Sequence, residues 1–534
     1  MRVAELVGHT LASAGVRHVF GVVGSGNFHV TNALVAGGAT FVATAHEGGA
    51  ATMADAYARV SGEVGVLSVH QGPGVTNALT GITEAAKSRT PVLVLAPEAT
   101  APRSNFYIDL PTAVGAVGAV FHRIRAEHAA RDTLAVLARA RHGDCVVLGL
   151  PLDVQGLEGS AGTQGTDVPA EAAPNVDALV AAIDAARRPV FIAGRGAARS
   201  PEPLVALADR CGALLAVSAA AKGLFTGNPW NLDVSGGFAT PLAASLIADA
   251  DLVVAWGSTL NMWTTRHGRL IGSTATVAQV DRDRAALGVN RPIDIGVAGD
   301  VATVAALVAG RVSTSDGYRS AEVRERIAKE GRWRDVPYQD DSAAGRIDPR
   351  TLSIALDDAL PAQRTVVVDS GNFMGYPSMF LSVPDAAGFC FTQAFQSIGL
   401  GLASALGAAV ARPDRLTVAA LGDGGFLMSA AELLTAVRLA RPLIVVVYND
   451  AAYGAEVHHF GPDGHVLDTV TFPDTDLAAI GRGYGCAGVT VRAPADLAPV
   501  RDWLAGPRTQ PLVVDAKVTA ERGSWWLEEA FRGH

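Results

Sequence analysis

Residues 416–450 read LTVAALGDGGFLMSAAELLTAVRLARPLIVVVYND. An apolar run ends in Gly422-Asp423-Gly424-Gly425, the stretch 429–440 repeats apolar residues at helical spacing, and a second apolar run ends in Asn449-Asp450. Strands apolar on both faces and joined by one helix predict neighbouring parallel strands buried under helices. A right-handed crossover of this kind puts both C-terminal ends on one sheet edge, where open α/β folds bind ligands. Asp423 and Asp450, 27 positions apart, can then face one another across a hard cation. Magnesium takes about six oxygens, commonly one or two carboxylates with phosphate oxygens completing the shell. The glycines after Asp423 let backbone N–H groups approach a phosphate with no Cβ in the way. Taken singly, Asp-Gly and Asn-Asp are also ordinary turn residues. Their pairing around a crossover helix is what favours the ligand reading.

The same alternation runs through the chain. Apolar segments such as VRHVFGVVG (16–24), EVGVLSVH (63–70), TPVLVLAPE (90–98) and ADLVVAWGST (250–259) are separated by Ala-rich helical patterns. The fold class is therefore α/β, as three doubly wound parallel-sheet domains: 1–165, 175–330 and 349–534, with 155–174 (QGLEGSAGTQGTDVPAEAAP) as a linker. At 534 residues the chain is too long for one core. Hydrophobic residues make up 49% and charged residues 18%, which excludes a disordered chain. A net charge of −9 without a basic block argues against nucleic acid. No apolar run is long enough for a membrane span. Cys145, Cys211, Cys390 and Cys486 lack metal or disulfide spacing and read as reduced thiols. With no signal-peptide pattern at the N-terminus, a cytoplasmic protein is expected.

The Gly-Asp-Gly and Asn-Asp pair resembles the signature of the thiamine-diphosphate-dependent enzymes of the 2-oxo acid decarboxylase and acetolactate synthase group, with Asp450 standing where a second Asn is usual. The resemblance covers the whole chain. It implies pyrimidine-binding, central Rossmann-like and diphosphate-binding domains in that order, and it implies thiamine diphosphate and Mg2+ as cofactors. Asp423, Asp450 and the carbonyl of Ala452 would hold the metal. Gly422, Gly424, Gly425, Tyr453 and Gly454 would line the diphosphate, as would Asn372 and Phe373 in DSGNFMG (369–375). Gln396 and Ile398 lie in FQSIGLGLASALGAA (395–409), where the family carries the aliphatic wedge that bends the cofactor. In the first domain Pro73 and Asn77 would border the pyrimidine. Glu47, at the strand–helix junction of FVATAHEGGAATMADAYARVSG (41–62), would hydrogen-bond the aminopyrimidine and activate the cofactor. Beside Gly48-Gly49-Ala50-Ala51 its carboxyl has little polar company, so desolvation should raise its pKa. A glutamate at a helix N-terminus also has a plain electrostatic explanation.

Several residues bear on the reaction. His70 and Gln71 precede a Gly-Pro-Gly turn, and His70 resembles the catalytic histidine of benzoylformate decarboxylase. Ser25 falls near that enzyme's substrate-binding serine, with a one-residue offset. Glu456 stands where pyruvate decarboxylases carry a catalytic glutamate, and His459 lies three residues further along the expected helix. A core histidine for His70 and a solvated helix face for Glu456 and His459 are the plain alternatives. The paired histidines of pyruvate decarboxylases and the glutamine of acetolactate synthases are both missing around 103–114. Decarboxylation of a 2-oxo acid with carboligation, and acetolactate-synthase-type transfer to a second carbonyl, therefore both stay open. A flavin- or nicotinamide-linked oxidoreductase and a silent binding subunit are the rival classes. FIAGRGAARS (191–200) is only a partial dinucleotide fingerprint, because Arg199 occupies the third glycine's place. An unoccupied central domain is preferred to FAD. The resemblance further implies a homodimer at minimum, with a homotetramer expected. The partners would be a small 2-oxo acid and an aldehyde or second oxo acid. Phe28, Phe106, Tyr107 and Phe460 could line an aromatic-sized pocket or be core.

Overall fold

The computed structural model describes residues 1–160 and 173–530. Most of the expected linker, 161–172, lies outside the described residues. Among the described residues three six-stranded sheets form, and every named strand pairing is parallel. The first contains β1 (His18–Gly21), β2 (Thr40–Ala43), β3 (Gly65–Ser68), β4 (Val92–Glu98), β5 (Val120–Arg123) and β6 (Cys145–Pro151). The second contains β7 (Pro189–Ala193), β8 (Leu214–Val217), β9 (Asn231–Val234), β10 (Leu252–Trp256), β11 (Thr276–Asp281) and β12 (Ile295–Ala298). The third contains β13 (Arg364–Val368), β14 (Phe389–Phe391), β15 (Leu416–Gly422), β16 (Leu443–Asn449), β17 (Ala487–Val491) and β18 (Leu512–Lys517).

The first and third sheets share one strand order, β2-β1-β3-β4-β6-β5 and β14-β13-β15-β16-β18-β17. The order reverses between β1 and β3, and again between β13 and β15, so each sheet opens a crevice there at its C-terminal edge. The second sheet, β12-β11-β10-β7-β8-β9, has the doubly wound dinucleotide order with its switch between β7 and β10. Strands β4, β6, β13, β16 and β18 are buried along their whole length. Their Val- and Leu-rich sequences suit a sheet covered on both faces.

One hydrophobic cluster joins the first sheet to the third, and another joins the second to the third. At the first junction the helix Glu47–Ser61 crosses the helix Gly401–Ala411. A Cβ on Gly407 would fall 2.2 Å from the carbonyl oxygen of Met53, so only glycine lets the two backbones approach this closely.

The stretch after β15 differs from expectation. Gly422 is extended and caps a helix that begins at Asp423 itself (Asp423–Ser429), breaks at a turn (Ala430–Glu432) and resumes as Leu433–Leu439. The glycines after Asp423 thus form the first helical turn. All four cysteines are free and buried. Among the described residues no helix is long and apolar enough to cross a membrane.

Candidate active site

The crevice of the third sheet collects one set of residues. Asp423 follows β15 and Asp450 follows β16. Asp423 is only 5% exposed; its Oδ1 accepts from the N–H of Gly424 at 2.8 Å and its Oδ2 from the N–H of Ala452 at 3.2 Å. Burial holds the carboxyls of Asp423 and Asp450 well above the ordinary range, and the charge of Asp450 raises Asp423 further. Two acids placed this way disfavour their own ionised forms unless a cation joins them. Asn372, beyond β13, hydrogen-bonds Asp450 through its side chain. A Cβ on Gly454 would meet Asp450 Oδ2 at 2.3 Å and Asn372 Nδ2 at 2.8 Å, and one on Gly424 would meet Tyr453 Cε1 at 2.4 Å. Gly454 and Gly424 are therefore glycines because side chains of the expected set fill the space beside them. Gly425 likewise approaches Asp369 Oδ2, and Gly422 approaches Phe373. Among the described residues no group of three or more His, Cys, Asp or Glu side chains forms a metal cage. The donor set fits magnesium, which keeps room for phosphate and water oxygens.

Phe373 corrects part of the expectation. It is buried with its ring stacked on Tyr448 at 5.4 Å, so only its backbone is left to face a diphosphate. Gln396 is exposed in left-handed backbone (φ 61°), and Ile398 is half-buried. The turn after β16 is held by Asn449 together with residues the sequence did not single out. Ala451 is left-handed (φ 60°), and its N–H donates to Asn449 Oδ1 at 3.1 Å. Asn449 in turn donates to the buried Asp515 at 2.8 Å, and Lys517 pairs with Asp515 at 3.1 Å. Asp369 accepts the N–H groups of Gly399 and Leu400 beside Ile398, and burial pushes its carboxyl up to about 6.

The crevice of the first sheet collects a second set. Gly26 N–H donates to His70 Nδ1 at 3.3 Å, and Phe106 stands edge-on to His70 at 5.3 Å. Gln71 is buried with Oε1 unpartnered, and a Cβ on Gly26 would fall 1.7 Å from that oxygen. Ser25 is exposed at the tip of this loop. Glu47 opens its helix, and its Oε2 accepts from Asn77 Nδ2 at 3.0 Å; Pro73 opens the helix that carries Asn77, and both Pro73 and Asn77 are exposed. The apolar enclosure expected around Glu47 is absent from the single chain: its side chain is half-buried at a sheet edge, with an amide as partner. On the third sheet's side, the helix Gly454–Phe460 carries Glu456, whose Oε2 is buried with no partner among the described residues, and His459, edge-on to Phe460 at 4.6 Å.

Among the described residues no hydrogen bond or ion pair connects Glu47 with Asp423 or Asp450. The two halves are instead joined by a reciprocal pair of buried glutamates. Glu432 accepts the N–H groups of Ala45 and His46, just before Glu47, at 3.2 and 3.1 Å. Glu84 accepts those of Ala394 and Phe395, just before Gln396, at 3.1 and 2.6 Å. Sequence reasoning missed both, although a single acid inside each apolar helical pattern was a readable signal. At the partial fingerprint in the second sheet, a Cβ on Gly194 would fall 2.3 Å from the carbonyl of Gly257, so these glycines serve close packing between the ends of β7 and β10.

Family models of thiamine pyrophosphate enzymes match three parts of the chain: the N-terminal binding domain over residues 1–115, the central domain over 176–308 and the C-terminal binding domain over 369–516. A protein of Pseudomonas aeruginosa named "Probable 2-ketoarginine decarboxylase" is 31% identical over 533 residues, covering 93% of this chain and 90% of its own. A sulfoacetaldehyde acetyltransferase of Castellaniella defragrans is 29% identical over 539 residues, with 93% and 90% covered. The thiamine-diphosphate-dependent 4-hydroxybenzoylformate decarboxylase of Rhodococcus jostii superposes with a TM-score of 0.81 at 21% identity, covering 98% of this chain and all of that one. Matched along all three of its sheets, the chain belongs to the thiamine pyrophosphate enzymes.

Proposed function

We propose that this enzyme uses thiamine diphosphate with magnesium to decarboxylate a 2-oxo acid, with the activated fragment released as an aldehyde or joined to a carbonyl acceptor. The observation that carries the cofactor assignment is the pairing of the buried Asp423 with the half-buried Asp450 in a cradle that side chains on Gly424 or Gly454 would fill. In this reading Asp423, Asp450 and the Ala452 carbonyl hold magnesium, and Asn372 with the backbone of 422–425 and 372–373 holds the diphosphate. Glu47 faces the pyrimidine as its hydrogen-bonding partner, its carboxyl group oriented by Asn77. The bound cofactor supplies the electron sink for loss of CO2.

Proton traffic falls to this chain's own residues. With Nδ1 accepting from Gly26, a neutral His70 ring carries its proton on Nε2, free to donate toward a substrate carbonyl or carboxylate. Glu456 has a buried oxygen with no partner among the described residues, as suits an acid whose counterpart arrives with the substrate. These two groups favour protonation of the decarboxylated fragment. The exposed Phe106, Tyr107 and Phe460 suit an apolar substrate side chain.

A second reading, transfer of a two-carbon unit to an acceptor, is favoured by the acetyltransferase relative. The exposed Leu427, Met428 and Leu434 beside the Asp423 helix, together with the half-open Glu47, support a homodimer at least, and by the family resemblance a homotetramer. The test is CO2 release from a panel of 2-oxo acids with thiamine diphosphate and magnesium, with and without an aldehyde or second oxo acid. Release without acceptor, with aldehyde accumulating, supports decarboxylation. Release only with acceptor replaces it by the transferase reading.

A further inference from the structure

Beyond β18 the chain turns back over the crevice of the third sheet. Ser524 is 3% exposed, and its hydroxyl lies 2.8 Å from Asn372 Oδ1 and 3.1 Å from the Asn372 carbonyl. Trp526, 1% exposed, donates its indole N–H to that same carbonyl at 3.2 Å. Its ring fills the place of a side chain at residue 375, because a Cβ on Gly375 would meet the indole at 2.6 Å. Tyr376 stands edge-on to Trp526 at 4.9 Å, and its side chain also hydrogen-bonds Ser524. On the other side, a Cβ on Gly523 would lie 3.3 Å from the Cβ of His458, on the helix that carries Glu456.

A primary amide offers an oxygen that only accepts and a nitrogen that only donates, and a half-turn exchanges them at little steric cost. Asp450 requires the nitrogen of Asn372, since an ionised carboxylate facing an amide oxygen would set two acceptors against each other. With the indole serving the Asn372 carbonyl, the Ser524 hydroxyl is left to donate to Oδ1. A hydroxyl donor on one side of the amide selects the orientation that presents Nδ2 to Asp450 on the other.

We propose that Ser524 is a positioning residue for the cofactor site: held by the returning C-terminal segment, it fixes the amide of Asn372 so that Nδ2 faces Asp450, and so prepares the cradle for the diphosphate–magnesium group. The inference rests on the cofactor reading above and adds to it a residue far along the chain.

The experiment measures thermal unfolding and thiamine diphosphate affinity, both with magnesium present, for the wild type, Ser524→Ala, Ser524→Thr, Asn372→Ala and the double variant. A ligand that binds the folded chain raises its melting temperature according to its affinity, so the cofactor-induced shift reads the site without relying on turnover. In the wild-type background Ser524→Ala should lower the cofactor-free melting temperature by no more than the loss of one buried hydrogen bond and should in addition weaken cofactor affinity about tenfold. In the Asn372→Ala background the same change should cost less than about twofold, because residues acting through one another are not additive. Ser524→Thr, which keeps the donor, should recover most of the affinity. Equal losses in both backgrounds, or wild-type affinity in Ser524→Ala, overturn the proposal while leaving the cofactor reading intact. A wild-type chain that thiamine diphosphate and magnesium fail to stabilise overturns both. If Ser524→Ala does not fold, Ser524→Cys keeps the volume with a much weaker donor, and the same comparison decides.

Discussion

Gly454→Ala sets two effects of opposite sign against each other. Gly454 is the first residue of the helix Gly454–Phe460 and has no left-handed backbone requirement, so alanine should favour the helix by up to about 1 kcal/mol. Its Cβ, however, would sit 2.3 Å from Asp450 Oδ2 and 2.8 Å from Asn372 Nδ2, whereas ordinary contact begins near 3.4 Å. The carboxylate oxygen must retreat by about 1 Å, and magnesium tolerates little departure from octahedral bonds of about 2.1 Å. A displacement of about 1 Å at a reacting site costs on the order of 100-fold, or roughly 2.7 kcal/mol. The expected variant is therefore as thermostable as wild type, or slightly more so, when free of cofactor. It should bind Mg2+ in the presence of thiamine diphosphate about 100-fold more weakly by calorimetric titration. Metal affinity within about threefold of wild type would refute the assignment of Asp450 to the cation site, since the steric conflict cannot be avoided while the helix start holds its place.

Glu47→Gln should abolish turnover while thiamine diphosphate still binds in equilibrium dialysis; retained activity removes Glu47 from the chemistry. Asp450→Asn restores the residue usual in the resembled family and should keep activity with weaker cation binding; complete loss of cofactor binding would contradict the metal assignment. Burial raises the folded-state pKa of Asp423 and Asp450 above their unfolded values, so the stability they contribute is fully present below about pH 4 and drains as pH rises through the raised values. Because the cation binds only the ionised pair, Mg2+ affinity should fall as pH is lowered from 7.5 to 5.5; a flat profile over that window would mean ordinary carboxylates. Glu432→Gln turns one acceptor of the Ala45 and His46 N–H groups into a donor and should cost about 1–2 kcal/mol of stability, read by thermal unfolding alongside activity. An unchanged melting temperature would show that the loop before Glu47 stands without it.

Much of the site could be read before any coordinates. Asp423 and Asp450 announce themselves because both close apolar strands, and parallel topology brings such ends to one edge. Asn372, Gly424, Tyr453 and Gly454 followed from a family resemblance, and the structure places them within contact of those acids or of one another. The ring of Phe373, next to Asn372 in the chain, belongs to the core against Tyr448, which the resemblance did not indicate. Glu47 opens its helix where the pattern puts it, and in the single chain it is half-buried with Asn77 as its partner; local sequence says nothing of what covers such a site.

The sequence by itself determined the parallel α/β class, the three-part organisation of strands and helices, and the strand-end acids. These depend on periodicity and short spacing, which the chain carries locally. Only the tertiary structure decided which distant groups hold those acids in place: Glu432 reaching back to Ala45, Glu84 reaching forward to Phe395, Asp515 steadying Asn449, and Ser524 returning to Asn372. Each such contact joins residues tens to hundreds of positions apart through one or two hydrogen bonds. No periodicity encodes them, and they exist only once packing has brought the partners together and excluded the water that would otherwise satisfy them.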